Sequence, residues 1–269
     1  MLDQRKLLTD TDWDVLIVLD ACRVDYFKAH CGECKTVKSV GARTLEWVRA
    51  NAKMLNRKPT VIFNGNPVLH RENKHQKLRL SMVNVWERHW GFFTEQNVAC
   101  CHPMSVNAVI LEKLAAGALK GKRIVAWYLQ PHTPYIGDPP LRMDWQPSRF
   151  SRLAAKHGVG MMRPHKVLKK GKITWAEVQA GYAGNLRVAW DAARYLVAKV
   201  SGKVIITSDH SELIGEDDRF GHQPGWGKKF PQLYEVPWLE LEGGKLAEVE
   251  RAKTPDEVMH ARLGDLGYE

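Results

Sequence analysis

The sequence predicts an α/β fold of three layers, with helices on both faces of a central, mostly parallel sheet. Asp14–Asp20 (DVLIVLD) and Val204–Ser208 (VIITS) are continuously apolar, β-forming runs. Such runs mark strands buried on both faces of a parallel sheet. Segments of this kind alternate along the chain with helical periodicities, which argues for parallel strands joined through helices. Both runs also end in polar residues, and the carboxyl ends of strands are where open α/β sheets place their sites.

In chain order, a strand over 14–20 leads into a helix near 22–30, an extended piece at 35–40 and Gly41. Thr44–Leu55 reads as a helix with Leu45, Val48 and Leu55 near one face. Thr60–Asn64 is the next strand, closed by Gly65 and Pro67. The stretch 71–100, basic and aromatic, gives no clear elements. Ser105–Leu119 reads as an amphipathic helix ending at the Gly121 turn, and Arg123–Gln130 as a strong strand. The segment 137–172 has prolines and charges but little periodicity, as in a lid or substrate loop. Thr174–Val200 is the longest helical pattern, opened by Thr174 with Glu177 at the reciprocal capping position. Glu235–Leu241 is a short strand in which Pro237 implies an edge or terminal position. Thr254–Glu257 opens a last helix.

A length of 269 residues with 44% hydrophobic content fits one large α/β domain spanning 1–269. No run approaches the length of a transmembrane helix, and the first residues lack a signal-peptide core, so the expected location is cytoplasmic. A formal charge of +10 favours an anionic partner or substrate: a phosphorylated small molecule, an anionic polymer including nucleic acid, or an anionic membrane surface. The bland alternative is a solubilising surface. The densest basic run, Arg163–Lys172, is expected in a loop and has no interleaved aromatics for stacking on bases. Five cysteines suggest reduced thiols. Cys31 and Cys34 with Cys100, Cys101 and His102 could share a structural zinc, but separate thiols are the simpler reading.

Adjacent Asp209 and His210 at a strand end make a natural ligand pair for a divalent metal. The alternative is a helix-capping Asp beside a surface His. Asp20 ends the other buried strand at the same sheet edge and would supply the opposite side of one site.

Together these two blocks resemble the alkaline phosphatase/sulfatase superfamily, whose first strand ends in a metal Asp and whose late strand ends in Thr-Ser-Asp-His-Gly-Glu. Here Thr207–Glu212 reads TSDHSE, with Ser211 in place of the usual Gly. Pro131–Tyr135 (PHTPY) is similar to the His-x-Pro-Tyr block of sulfatases and lipoteichoic acid synthases, whose His faces the substrate. Tyr182–Val197 resembles the long helix preceding the Asp-His strand, and Gly215-Glu216, Gly221-His222 and Glu235–Pro237 follow in family order.

The resemblance implies an alkaline-phosphatase-like fold and a nucleophile at the amino end of a helix, where free N–H groups hold an anionic group. Gly41–Glu46 (GARTLE) fits that position and makes Thr44 the nucleophile, with a plain N-cap as its alternative role and Ser39 in reserve. Asp20, Thr44, Asp209 and His210 then form the metal site. His132 and His222 become substrate-binding or acid/base groups, and Arg43 an oxyanion partner. No Asp-x-x-x-His block supplies a second site, so one ion is expected, manganese or zinc. Cys101–Ser105 is the nearest match to the sulfatase Cys block but lacks its Arg and comes too late, which disfavours classical sulfatase activity. Cys22 could be a ligand or nucleophile, but a small buried residue is the simpler reading. The implied activity is a metal-dependent hydrolase or transferase of phosphate esters, with sulfate esters as near analogues. The rival is a catalytically inactive module that holds an anionic polymer, nucleic acid or lipid in the same pocket.

Overall fold

The computed structural model describes residues 1–93, 98–139, 141 and 164–244 of the chain. The chain opens with β1 (Leu2–Asp3) and α1 (Gln4–Asp10), followed by β2 (Val15–Asp20), α2 (Val24–His30), β3 (Lys35–Lys38) and α3 (Thr44–Leu55). Next come β4 (Thr60–Asn64), α4 (Pro67–His75), β5 (Met82–Asn84), and the hairpin β6 (Trp90–Phe93) and β7 (Val98–Cys101). Then follow α5 (Pro103–Ala115), β8 (Arg123–Pro131), α6 (Pro164–Lys169), α7 (Trp175–Lys199) and β9 (Lys203–Thr207). The antiparallel pair β10 (Leu213–Ile214) and β11 (Phe220–Gly221), α8 (Trp226–Lys229) and β12 (Glu235–Glu242) complete the described elements.

The main sheet runs β1-β3-β12-β9-β2-β8-β4-β5, with every neighbour parallel except β12, which is antiparallel to both β3 and β9. The pleat of β2 shows why its sequence is apolar throughout. Val15, Ile17 and Leu19 face one core with Phe27, Ile110, Leu186, Ala189 and Leu196. Leu16 and Val18 face the other, with Leu8, Trp47, Val48 and Leu69. Helices α2, α5 and α7 therefore cover one face and α1, α3 and α4 the other, giving the expected three layers. Each such side chain, removed from water, contributes about 1.5–3 kcal/mol.

Local chemistry sets the boundaries. Thr174 and Glu177 close a reciprocal capping box at the start of α7. Helix α5 starts earlier than expected, at Pro103, because His102 caps it through Nδ1 to the Met104 N–H, and it ends at Ala115, before Gly117.

Two expectations are corrected. Strand β12 lies inside the sheet, not at an edge, although Pro237 pairs with Thr36 of β3. The proline is tolerated because the β9 ladder ends at Trp238–Thr207, one residue short of it, and the Thr207 hydroxyl donates to its carbonyl at 2.6 Å. The basic stretch 163–172 is not all loop: Pro164 opens the short helix α6. The cysteines are free thiols, as in the simpler reading. Among the described residues, the His, Cys, Asp and Glu groups close enough to share a metal contain no cysteine. The helix expected from Thr254, and most of the expected lid at 137–172, lie outside the described residues. No described helix is long and apolar enough to cross a membrane.

Candidate active site

The carboxyl ends of β2 and β9, hydrogen-bonded neighbours, bring Asp20, Asp209 and His210 together. All three are fully or almost fully buried. The His210 Nε2 lies 3.4 Å from Asp209 Oδ2 and 3.7 Å from Asp20 Oδ1. The His210 Nδ1 is 2.9 Å from the Ser211 carbonyl, so this nitrogen carries the proton and Nε2 presents its lone pair to the group. Asp209 is held just as firmly. Its Oδ1 accepts the N–H groups of Ala21 (3.1 Å) and His210 (3.0 Å), while Oδ2 is buried without a partner.

The chain between the two strands is fixed by polar contacts that sequence reasoning did not anticipate. Ala21 takes a left-handed conformation, φ 58°, uncommon for a residue with a Cβ. The turn is held because Tyr182 donates its hydroxyl proton to the Ala21 carbonyl at 2.7 Å and accepts the Arg23 N–H at 2.8 Å. The Ser208 hydroxyl donates to the Leu19 carbonyl and accepts the Cys22 N–H. Buried Gln4 donates to Thr207 and Ser208 and accepts from the Trp47 indole, tying the exit of β9 to α3. Asn66, the N-cap of α4 at the end of β4, donates its side-chain amide to Asp20 Oδ2. Trp127 approaches the same oxygen at 3.4 Å.

Thr44 is buried, and its hydroxyl lies 3.2 Å from His210 Nε2. It is not the N-cap. Arg43 occupies that position, and the Glu46 side chain accepts the Ala42 N–H at 2.9 Å, so the Thr44 oxygen is left to face the buried group. The approach needs Gly41, since a Cβ there would lie 2.7 Å from Glu46 Cβ and 2.8 Å from the Trp47 nitrogen. Ser39 is turned elsewhere: its hydroxyl donates to the Asp209 carbonyl. Cys22 is a fully buried thiol, and burial pushes its pKa well up, as expected for an inert packing residue.

A second group adjoins the first. His132, Glu212 and His222 bring their ligand-type atoms within 4.8 Å of one another. The His222 Nδ1 is 3.2 Å from Glu212 Oε1, and the His132 Nε2 3.9 Å from it. The rings of His210 and His222 are 4.1 Å apart, centre to centre. Glu212 was not counted as a site residue in the sequence, although it closes the same strand-end block. What hid it is the β10–β11 pair. Leu213 pairs with Gly221, which sets Glu212 opposite His222, and two-residue strands leave almost no periodicity to read. His132 is delivered by an irregularity in the β2–β8 ladder. Leu19 pairs with Tyr128 but Asp20 with Pro131, so two extra residues bend β8 and turn His132 beside Asp20. Buried Asn185 of α7 then clamps the block, donating to the carbonyls of Pro131 (2.9 Å) and His132 (3.0 Å) and accepting the Ile136 N–H. Arg43 is half-buried and close enough for its charge to bear on His222.

Electrostatics fit a cation. Burial and the charge of Asp209 hold the Asp20 carboxyl well above the usual carboxylate range, because two adjoining buried carboxylates repel one another. Burial likewise raises Glu212. Burial pushes His210 down to about 4, which keeps it neutral and fit to ligate. Burial also acts to lower His132, but the charges of Glu212 and Asp20 outweigh it and its pKa is raised. The oxygen and nitrogen donors, the unpartnered Asp209 Oδ2 and the Nε2 lone pair of His210 together suit a divalent ion.

Neither a protein-family profile nor a curated protein sequence matches the chain. Solved structures do. The soluble domain of lipooligosaccharide phosphoethanolamine transferase A from Neisseria meningitidis superposes with a TM-score of 0.56 at 11% identity, over 85% of this chain and 75% of that one. The integral membrane form of the same transferase gives 0.55 at 12% identity, over 85% of this chain and 47% of that one. The periplasmic domain of EcEptC from Escherichia coli gives 0.50 at 9%, over 90% of this chain and 75% of that one. The chain shares their fold, and with it the three-layer, alkaline-phosphatase-like architecture that the strand-end motifs imply.

Proposed function

We propose that the protein is a metal-dependent transferase or hydrolase of phosphate esters that works through Thr44. The observation that carries this reading is the Thr44 hydroxyl, freed from capping and 3.2 Å from His210 Nε2, beside two buried carboxylates. Asp20, Asp209 and His210 would hold a divalent cation, manganese or zinc, with Thr44 completing the set. A cation there would favour the deprotonated threonine and draw charge from the phosphoryl group.

Thr44 Oγ1 then forms its bond to phosphorus as the bond to the ester's leaving oxygen breaks, and that oxygen takes a proton from His132. Water or an acceptor alcohol next attacks the phosphothreonine. It gives its proton back to His132 and restores Thr44. Glu212 and His222, adjoining His132, would fix the leaving or entering group, and Arg43 would balance charge on the phosphoryl oxygens. That superposable folds belong to phosphoethanolamine transferases supports an alcohol acceptor alongside water. The natural substrate would be anionic, in keeping with the net charge of +10.

The test is metal analysis of the purified protein followed by nitrophenyl phosphodiester, phosphomonoester and sulfate substrates. Bound divalent metal with phosphodiester turnover is expected, and the same analysis counts one or two ions per chain. Metal-free protein that binds none on addition and turns over no ester would leave the inactive, anion-holding module.

A further inference from the structure

The end of the sheet opposite Thr44 holds a feature that the proposed chemistry does not use. A cavity of about 410 Å³ opens where β4 and β8 begin, with Arg57, Lys58, Arg79, Lys122, Thr60 and Ser81 in its wall. Thr60 pairs with Arg123 at the entering ends of these strands, whereas Asn64 and Asn66 lie at the leaving end, with Asp20. A five-residue strand at about 3.3 Å per residue sets the two ends roughly 15 Å apart.

Three distant chain segments, 55–61, 79–81 and 122, meet here, which is why the cluster does not show in the sequence. All four cations are exposed, and no carboxylate lines the cavity. Asp12, outside the wall, is shared between Lys58 (2.6 Å) and Arg123 (2.8 Å). Arg57 and Arg79 pair with no carboxylate among the described residues, and the Lys122 ammonium meets only the Ala118 carbonyl at 3.1 Å. Arg79 itself sits at φ 58°, a left-handed conformation uncommon for a residue with a Cβ. Converging like charges and a strained backbone both oppose stability, and such features persist where a ligand uses them.

We infer that this cavity is a second anion site, separate from the Thr44 centre, which takes a diphosphate-class anion either free in solution or displayed on a lipid headgroup. Three cations left unmatched by Asp12 suit two linked phosphates better than one. The two arginines can each offer a paired N–H fork to phosphate oxygens. The volume also falls in the range of small-ligand pockets.

The experiment is calorimetric titration of the full chain with inorganic pyrophosphate in metal-free buffer. Wild type, Arg57→Gln/Arg79→Gln and Lys122→Gln are compared with Thr44→Ala, and circular dichroism checks each fold. Saturable binding of one equivalent is expected, weakened about tenfold or more in the arginine double variant, less in Lys122→Gln, and unchanged in Thr44→Ala. Co-sedimentation with phosphatidylcholine vesicles, plain or doped with a polyprenyl diphosphate to make them anionic, then assigns the source. Retention on the anionic vesicles alone, lost in the double variant, gives a lipid headgroup. No retention, with pyrophosphate binding intact, gives a soluble anion. Absent binding, binding equal in wild type and both cavity variants, or binding lost in Thr44→Ala would overturn the inference.

Discussion

Asp20, Asp209 and His210 expose at most 1% of their side chains, whereas His132 and His222, one ring-width away, keep 17% and 20% of theirs. The first three stand on the ends of β2 and β9, each with a backbone or side-chain partner that fixes its direction. The other two come from the bent end of β8 and from the residue after β11. Burial on rigid strands suits groups that must hold one charge in one place, and a solvent-facing rim suits groups that meet a substrate. Under the proposed function, the difference would give the two clusters separate roles that composition alone would merge.

Removing Asp209 tests the buried half and carries the largest effect. Asp209→Ala should abolish metal binding and lower turnover by several orders of magnitude while the circular dichroism spectrum stays close to wild type. Stoichiometric metal in the Asp20→Ala/Asp209→Ala double variant would contradict the assignment. In the second cluster, where buried Glu212 backs the two partly exposed imidazoles, Glu212→Gln and His132→Ala should lower kcat about 10²- to 10⁴-fold. The ion proposed for Asp20, Asp209 and His210 should remain, as metal content measured beside the kinetics will show. Equal loss of that ion in both sets would merge the two clusters again.

Much of the buried half was legible because strands buried on both faces carry long apolar runs, and the polar residues that interrupt them stand out. Asp20, Asp209 and His210 are read directly from the ends of β2 and β9, and the 12 residues of α3 match Thr44–Leu55 to the residue. The rest depends on contacts between distant segments. Gln4 reaches Thr207, Asn66 reaches Asp20 and Asn185 reaches three carbonyls near His132, and no local pattern announces any of these. Two partial signals were present: Asn66 precedes a proline at a strand end, as N-caps do, and Glu212 closes the strand-end block. The edge position expected for Pro237 failed because the sequence does not tell where a neighbouring ladder stops.

Asn66 gives an intermediate effect. Its amide orients the Asp20 carboxylate, so Asn66→Ala should weaken metal affinity about 10- to 100-fold, measured by competition with a chelator, with the fold retained. Unchanged affinity would make Asn66 only the cap of α4.

The smallest effect lies away from both clusters. Burial pushes His102 down to about 4, and its Nδ1 caps α5 as an acceptor, which it can do only when neutral. In the unfolded chain the imidazole takes up its proton near its ordinary value of about 6.5. The unfolded state therefore binds more protons between about pH 6.5 and pH 4, and stability falls as pH drops through that window. His102→Asn keeps a capping acceptor without the titration. Denaturant unfolding at pH 7 and pH 5 should show wild type losing on the order of 1–2 kcal/mol more than the variant. Equal losses would remove His102 as the cause.

The central claim is that Thr44 forms a covalent bond to phosphorus, and trapping tests it directly. The metal-loaded protein is mixed with a slowly turned-over phosphodiester, quenched in acid and mapped by peptide mass spectrometry. One phosphoryl adduct on Thr44 is expected, absent from Thr44→Ala, with activity in that variant down by several orders of magnitude and partly kept in Thr44→Ser. An adduct on Ser39 or Cys22 with Thr44 clean would contradict the account. So would a Thr44→Ala protein that loses about 1 kcal/mol of stability, as for a lost cap, yet turns over substrate like wild type.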